Sequence, residues 1–204
     1  MFNQSSNSKQ KGIDPMNVEI ISINDESGSM FRMRQDLIGS FNSFLADQKA
    51  QPGQARLTLV KFNHEVKTVY QARDLHSAPA LTDEDYCPGG DTALNDAIGV
   101  TLEREGKRIA AEGWADKVIV TINTDGEENA SKAYTIEQVR QMVAHAEAHG
   151  WTVLFQGVGI DAFQTGQKYG ISAATTASYA GSAAGLRTAY ADVSAMTTVL
   201  RSAP

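Results

Sequence analysis

Two hydrophobic periods alternate along this chain, and the alternation predicts an α/β fold. A β-branched run from Val18 to Ile23 is typical of a strand that is buried on both faces. From Met30 to Leu45, apolar residues then recur at three- and four-residue steps, which is the spacing of one apolar helix face. The same change of period is repeated further along the chain.

The later segments continue the alternation and add one hairpin. Further strands are predicted in the segments ARLTLVKFN, VKTVYQ, DKVIVTINTDG, WTVLFQGVG and TTASYAG. Because only two residues separate the first two of these, we expect them to form an antiparallel hairpin at a sheet edge. Further helices are predicted from Thr92 to about Gly113, from Thr135 to Gly150 behind a capping box, through 162–169 and over 183–202.

Strands that alternate with helices predict a doubly wound sheet with helices on both faces. We expect six strands in the order 3-2-1-4-5-6, mostly parallel, with one antiparallel edge strand. The polar, serine-rich residues 1–16 predict a flexible N-terminal arm. Residues 17–204 have the length of one domain with a substantial core.

Oxygen-bearing side chains follow the two strands that flank the predicted binding crevice. In this strand order ligands bind at the carboxyl ends of the first and fourth strands, which Asp25 and Asp125 end. Two carboxylates a few ångströms apart repel, so one takes a proton or a cation lies between them. Ser27, Ser29 and Thr92 lie in the neighbouring loops. An all-oxygen set of five favours a hard cation, Mg²⁺, Mn²⁺ or Ca²⁺, and leaves room for one outside oxygen.

These residues resemble the metal-ion-dependent adhesion site (MIDAS) of the von Willebrand factor A (VWA) domain. That pattern is Asp-x-Ser-x-Ser, a distant Thr and a distant Asp after a strand, and the chain shows DESGSM, PGGDT and INTDGEE. The resemblance spans about residues 17–201 and implies a Rossmann-like VWA fold. It implies these metal ligands, directly or through water: Asp25, Ser27, Ser29, Thr92 and Asp125.

The resemblance also implies a partner and a location. The segments TDGEENAS and GWTVLFQGVGIDAFQTGQKYGI are most similar to intracellular bacterial and phage members. From the oxygen ligands we expect Mg²⁺, with Mn²⁺ or Ca²⁺ as alternatives. From the family we expect a protein partner that presents an Asp or Glu. An AAA+ ATPase or a phage or virion protein is the implied class, in the cytoplasm or on a virion. Glu26, where many relatives have a small or hydroxylic residue, and Asp91 add negative charge near the site and leave the preferred cation open.

Charge and hydrophobicity narrow the classes of partner. A net charge of −6 gives no electrostatic footprint for nucleic acid or an anionic membrane. No apolar run approaches the roughly 20 residues that span a bilayer. The single cysteine, Cys87, cannot form an internal disulfide, which fits a reducing compartment. We expect neither nucleic acid nor membrane as a partner.

Two features also have simpler structural interpretations. Ser27 or Ser29 alone would cap a helix, and only their occurrence together with Asp125 at predicted strand ends favours a metal site. His145 and His149 are four residues apart on a predicted helix, as zinc ligands can be. No third ligand is evident, so we expect a solvated helix end there.

Three functions remain open from the sequence. The leading hypothesis is a metal-dependent protein-binding module, and the second is a structural component of a virion or another assembly. The third is a metal-dependent phosphoesterase with Asp25 as its nucleophile. Such enzymes need a second carboxylate two residues further on, where this chain has Ser27, and no lysine is evidently placed to complete the site. We therefore expect that the protein is not an enzyme.

Overall fold

A six-stranded sheet runs through the centre of the computed structural model, which describes residues 16–203. The strand order is β3-β2-β1-β4-β5-β6, in which only the β2–β3 pair is antiparallel. The predicted order, the parallel core and the antiparallel edge strand are confirmed. The strands are β1 (Asn17–Asp25), β2 (Gln54–Phe62), β3 (Val66–Asp74), β4 (Lys117–Thr124), β5 (Thr152–Val158) and β6 (Thr176–Tyr179).

Helices cover both faces of the sheet because successive side chains of a buried strand point to opposite faces. Ile20 of β1 packs in the cluster that includes the apolar residues of α1 and α5. Its neighbour Ile21 packs in the cluster that includes those of α2, α3 and α4. The helices are α1 (Arg34–Lys49), α2 (Leu94–Glu112), α3 (Ile136–Ala148), α4 (Ala162–Lys168) and α5 (Ala183–Ser202).

The largest difference from the predicted elements is at the first helix. Its apolar spacing starts at Met30, but α1 begins only at Arg34, after a 3₁₀ helix over Gly28–Met33. The tighter 3₁₀ turn is used where the Gly28 N–H donates to the carbonyl of Gly90, in a distant loop, at 2.9 Å. This contact ties the chain after β1 to the segment before α2.

The start of α3 matches its prediction in detail. Thr135 Oγ1 accepts from the Gln138 N–H at 3.3 Å, and Gln138 Oε1 accepts from the Thr135 N–H at 2.8 Å. The predicted arm of residues 1–16 lies outside the described range except for Met16. Between Met16 and Ala203, no helix combines the length and apolar character that a membrane crossing requires.

A buried ion cluster joins β1 to α2. Glu19 and Glu105 are both fully buried, and Arg108 lies between them. Arg108 Nη2 is 3.0 Å from Glu19 Oε2, and Arg108 Nε donates to Glu105 Oε2 at 2.9 Å. Burial raises the pKa of Glu19, and Arg108 partly opposes this rise. The cluster thus balances the charge of Glu19 on β1, a central strand that the apolar pattern had predicted only to be buried.

Candidate metal centre

The predicted site residues of β1 and β4 converge at the carboxyl edge of the sheet. Asp25 is the last residue of β1, and Asp125 directly follows β4. The Ser27 N–H donates to Asp25 Oδ1 at 2.7 Å, and Ser27 Oγ lies 3.0 Å from Ser29 Oγ. Ser29 Oγ donates to Asp125 Oδ1 at 2.7 Å. Four of the five predicted residues therefore form one continuous chain of contacts.

Thr92, the fifth predicted residue, lies against the same space. A Cβ built on Gly126 would be 3.0 Å from Thr92 Oγ1 and 3.8 Å from Asp25 Oδ2. The Thr92 hydroxyl and the Asp25 carboxylate thus flank one small volume, which a side chain at position 126 would fill. The structure brings all five predicted residues together.

No basic side chain of residues 16–203 pairs with the two aspartates of the site. Burial raises the pKa of Asp25, although hydrogen bonds from Ser27 and Thr124 oppose the rise. Burial also raises the pKa of Asp125 to about 6, with a further contribution from the charge of Asp25. A bound divalent cation would remove this electrostatic cost.

The donor set fits a hard divalent cation. Over the described part of the chain, no three His, Cys, Asp or Glu side chains cluster as a metal site. The centre at Asp25 and Asp125 therefore offers two carboxylates together with the hydroxyls of neighbouring Ser and Thr side chains, an all-oxygen donor set. Mg²⁺ is commonly held in this way, by one or two carboxylates with several waters retained. Structural zinc sites, in contrast, are usually built from histidine nitrogens and cysteine sulfurs.

Family membership is decided by a match over most of the chain. The family model of the von Willebrand factor type A domain matches residues 19–183. The chain belongs to the VWA family. A search of the curated proteins finds no significant match to it.

Solved structures share the fold of this VWA domain at low sequence identity. The minor pilin PilB from Streptococcus sanguinis aligns with a TM-score of 0.69 and 12% identity, over 94% of this chain and 64% of that one. Proximal thread matrix protein 1 from the mussel byssus, with a zinc-occupied MIDAS motif, gives 0.63 and 17%, over 91% and 47%. Manganese-loaded TRAP from Plasmodium vivax gives 0.60 and 13%, over 86% and 73%. The VWA domain thus spans only about half to two thirds of the first two proteins.

Sequence reasoning missed three residues that hold the site. Thr124 Oγ1 donates to Asp25 Oδ2 at 2.6 Å, and the Tyr86 hydroxyl donates to the Asp25 carbonyl. Asn129 Oδ1 accepts from the Thr92 N–H at 2.8 Å, and the Asn129 N–H donates to the Thr92 carbonyl at 3.0 Å. The position of Thr124 beside Asp125 at a strand end was a usable signal. Tyr86 and Asn129 lie in loops, where no periodicity marks them.

The structure changes the expectation for Glu26. Its carboxylate was expected to add negative charge near the site, but it is buried and lies 2.9 Å from Lys61 Nζ. Glu26 is therefore charge-compensated and takes part in a separate contact. Asp91, in contrast, is exposed beside Thr92.

The histidine pair gives no second metal centre among the described residues. The His145 and His149 rings are 4.2 Å apart between centroids, and His149 Nδ1 lies 2.8 Å from the His145 carbonyl. No third His, Cys, Asp or Glu of residues 16–203 joins them in a metal-binding cluster. Both side chains are exposed near the end of α3, where we expected a solvated helix end.

Metal affinity is expected to fall in acid because protons compete with the cation. Since the pKa of Asp125 is raised to about 6, the metal-free site binds a proton below that pH and must release it to take a metal. The Mn²⁺ dissociation constant should be flat above pH 7 and should rise about tenfold per pH unit below pH 6. Isothermal titration between pH 5 and 8 measures this. A constant affinity down to pH 5 would contradict it.

Proposed function

We propose that this VWA domain is a divalent-metal-dependent protein-binding module. Its metal is Mg²⁺, with Mn²⁺ or Ca²⁺ as alternatives, and an Asp or Glu of the partner completes the coordination. The proposed protein ligands, direct or through water, are Asp25, Ser27, Ser29, Thr92 and Asp125. The observation that carries the proposal is the convergence of two carboxylates, Asp25 and Asp125, with three hydroxyls at the carboxyl edge of the sheet. Neither carboxylate has an ion-pair partner among the described residues.

The charge balance at this edge favours an incoming carboxylate. A divalent cation neutralises the two aspartates, so a further anion meets no net repulsion from the metal and its ligands. The 3₁₀ helix that follows β1 begins at Gly28 and α2 begins at Leu94, both close to proposed ligands, and helix N-termini favour anions. Ser29 is exposed and Asp125 is half-buried, so a partner reaches the metal from the Ser29–Asp125 side.

The arrangement around Asp25 supports binding over phosphoryl transfer. A nucleophilic carboxylate needs a free oxygen that can reach the substrate, but Asp25 is fully buried. Its Oδ1 accepts from the Ser27 N–H and its Oδ2 accepts from Thr124. The acid/base position two residues further on is a serine that contacts Ser29.

The proposal predicts that partner capture depends on the metal. Immobilised protein should retain its partner in Mg²⁺ or Mn²⁺, release it in EDTA and bind it again when excess metal is restored. A shortened partner with its essential Asp or Glu changed to Asn or Gln should not be retained. Quantitative mass spectrometry of the eluates measures both effects.

Two variants complete this experiment. Asp25→Asn should lose capture in every metal, because it removes a proposed ligand. Glu84→Gln should retain capture, because Glu84 is an exposed carboxylate that is neither one of the five proposed ligands nor next to one in the chain. Retention of the same partner by Asp25→Asn, or in EDTA, would contradict the proposed function.

A further inference from the structure

Glu26 holds the segment that leads to Thr92. We call residues 86–91 the Thr92 loop; it lies in the stretch between Ala78 and Ala93, which contains no helix or strand. Glu26 Oε1 accepts from the Cys87 N–H at 2.5 Å, and the Glu26 carbonyl accepts from the Gly89 N–H at 2.9 Å. One residue therefore contacts the loop through both its side chain and its backbone.

A lysine of strand β2 holds the Glu26 side chain in place. Lys61 of β2 donates to Glu26 Oε1 at 2.9 Å, and it also donates to the carbonyl of Asp85, just before the loop. The side chains of Lys61 and Glu26 are 16% and 4% exposed. The attraction in a buried ion pair offsets the cost of desolvation only when further hydrogen bonds satisfy its remaining polar atoms, as the Cys87 N–H does for Glu26. The pair thus joins β2, the end of β1 and the Thr92 loop.

Close contacts connect the Thr92 loop to the residues of the metal centre. The Gly28 N–H donates to the Gly90 carbonyl at 2.9 Å, and a Cβ at Gly28 would be only 3.3 Å from that oxygen. Just beyond Thr92, the Ala93 N–H donates to the Asn63 carbonyl at 2.7 Å. Because Thr92 follows directly, a shift of the loop moves its hydroxyl relative to Asp25.

We propose that Glu26 is a positioning residue for the metal centre: through the Cys87 amide it holds the Thr92 loop, and so sets the contribution of Thr92 to metal binding. Glu26 does not contact the metal in this proposal. The inference rests on the metal-binding part of the proposed function and does not require the partner carboxylate.

A double-mutant cycle tests whether Glu26 acts through Thr92. Glu26→Ala is made together with Lys61→Met, so that no ammonium group is left unpaired, and Thr92→Val replaces the hydroxyl with a methyl group of similar size. Loss of a group that supports a ligand should weaken Mn²⁺ binding about 10- to 100-fold. In the Thr92→Val background the Glu26→Ala/Lys61→Met change should cost less than about threefold, since its target is already absent. Equal losses in both backgrounds would overturn the inference.

Hydrogen exchange of the metal-free protein supplies a readout that needs no metal. In Glu26→Ala/Lys61→Met the Cys87 and Gly89 amides should exchange at least about tenfold faster than in the wild type. Glu26→Gln keeps an oxygen that accepts from Cys87, so it should restore most of the protection and of the Mn²⁺ affinity. Glu84→Ala, an exposed change just before the loop, is the control and should alter neither.

The outcomes separate this inference from the proposed function. Unchanged exchange at Cys87 and Gly89 in Glu26→Ala/Lys61→Met would overturn the positioning role. Mn²⁺ binding without capture of any carboxylate partner would contradict the proposed function alone. If the double change prevents folding, Lys61→Met alone removes the strand anchor and should shift both readouts in the same direction. No shift in that folded variant would overturn the inference.

Discussion

Replacing Asp25 with asparagine is expected to abolish tight metal binding while stabilising the metal-free protein. Asparagine has the shape of aspartate and can accept from the Ser27 N–H, and the Thr124 hydroxyl can turn to the Gly126 carbonyl, 3.0 Å away. The change removes a buried charge whose raised pKa opposes folding at neutral pH. Each unit by which a pKa is raised corresponds to about 1.4 kcal/mol. Mn²⁺ affinity should fall by at least about 100-fold.

Two measurements on the same samples check this prediction. Isothermal titration gives the Mn²⁺ affinity, and urea denaturation in EDTA gives the free energy of unfolding. Glu84→Gln is the matched control, since it removes one exposed carboxylate that is not next to a proposed ligand in the chain and should change both quantities little. A variant Asp25→Asn that is strongly destabilised in EDTA would show that Asp25 has a structural role instead.

Replacing Arg108 with methionine is expected to cause the largest loss of stability. Breaking a buried ion cluster by removing one partner costs about 3 to 5 kcal/mol, because the remaining charges stay buried without compensation. Glu19 and Glu105 would then both be buried carboxylates that have lost their shared partner. Arg56 and Arg104 still contact them, which favours the lower end of that range. Urea denaturation at pH 7 measures the loss.

The pH dependence of this loss identifies its cause. Without Arg108 the pKa of Glu19 rises further above its unfolded value, so the stability deficit grows as pH rises and shrinks as pH falls from 7 to 5. Lys107→Met is the matched control, because Lys107 forms an exposed pair with Glu103. That change should alter the free energy of unfolding only slightly, because an exposed ion pair is screened by solvent. Equal losses for the two variants would refute the role of the buried cluster.

The strand order and the convergence of the ligands could be predicted because both follow from periodicity. Strand and helix lengths allow few topologies, and the 3-2-1-4-5-6 order places the residues after the first and fourth strands at one edge. Asp25 and Asp125 are those residues. Thr92 was included as a hydroxyl in the loop before the second long helix, and the family pattern added a reason to group it with the other four, because no periodic feature connects it to them.

The supporting contacts could not be predicted because they depend on how loops pack. Glu26 follows a strand end, where the alternation of side chains no longer fixes which way a residue points, and its partner Lys61 lies on another strand. Glu19 interrupts an apolar strand, and Arg108, which compensates it, is 89 residues away in the chain. In both cases the charge was visible in the sequence, but its partner was not.

Crystals of the full chain grown with Mn²⁺ provide the most direct measurement of the central claim. Anomalous diffraction should show a manganese peak between the Asp25 and Asp125 carboxylates, with the Ser27, Ser29 and Thr92 hydroxyls in direct or water-mediated contact. The peak should be absent from Asp25→Asn crystals grown in the same way. A wild-type structure without manganese at these carboxylates, or with manganese only at the His145–His149 pair, would contradict the account.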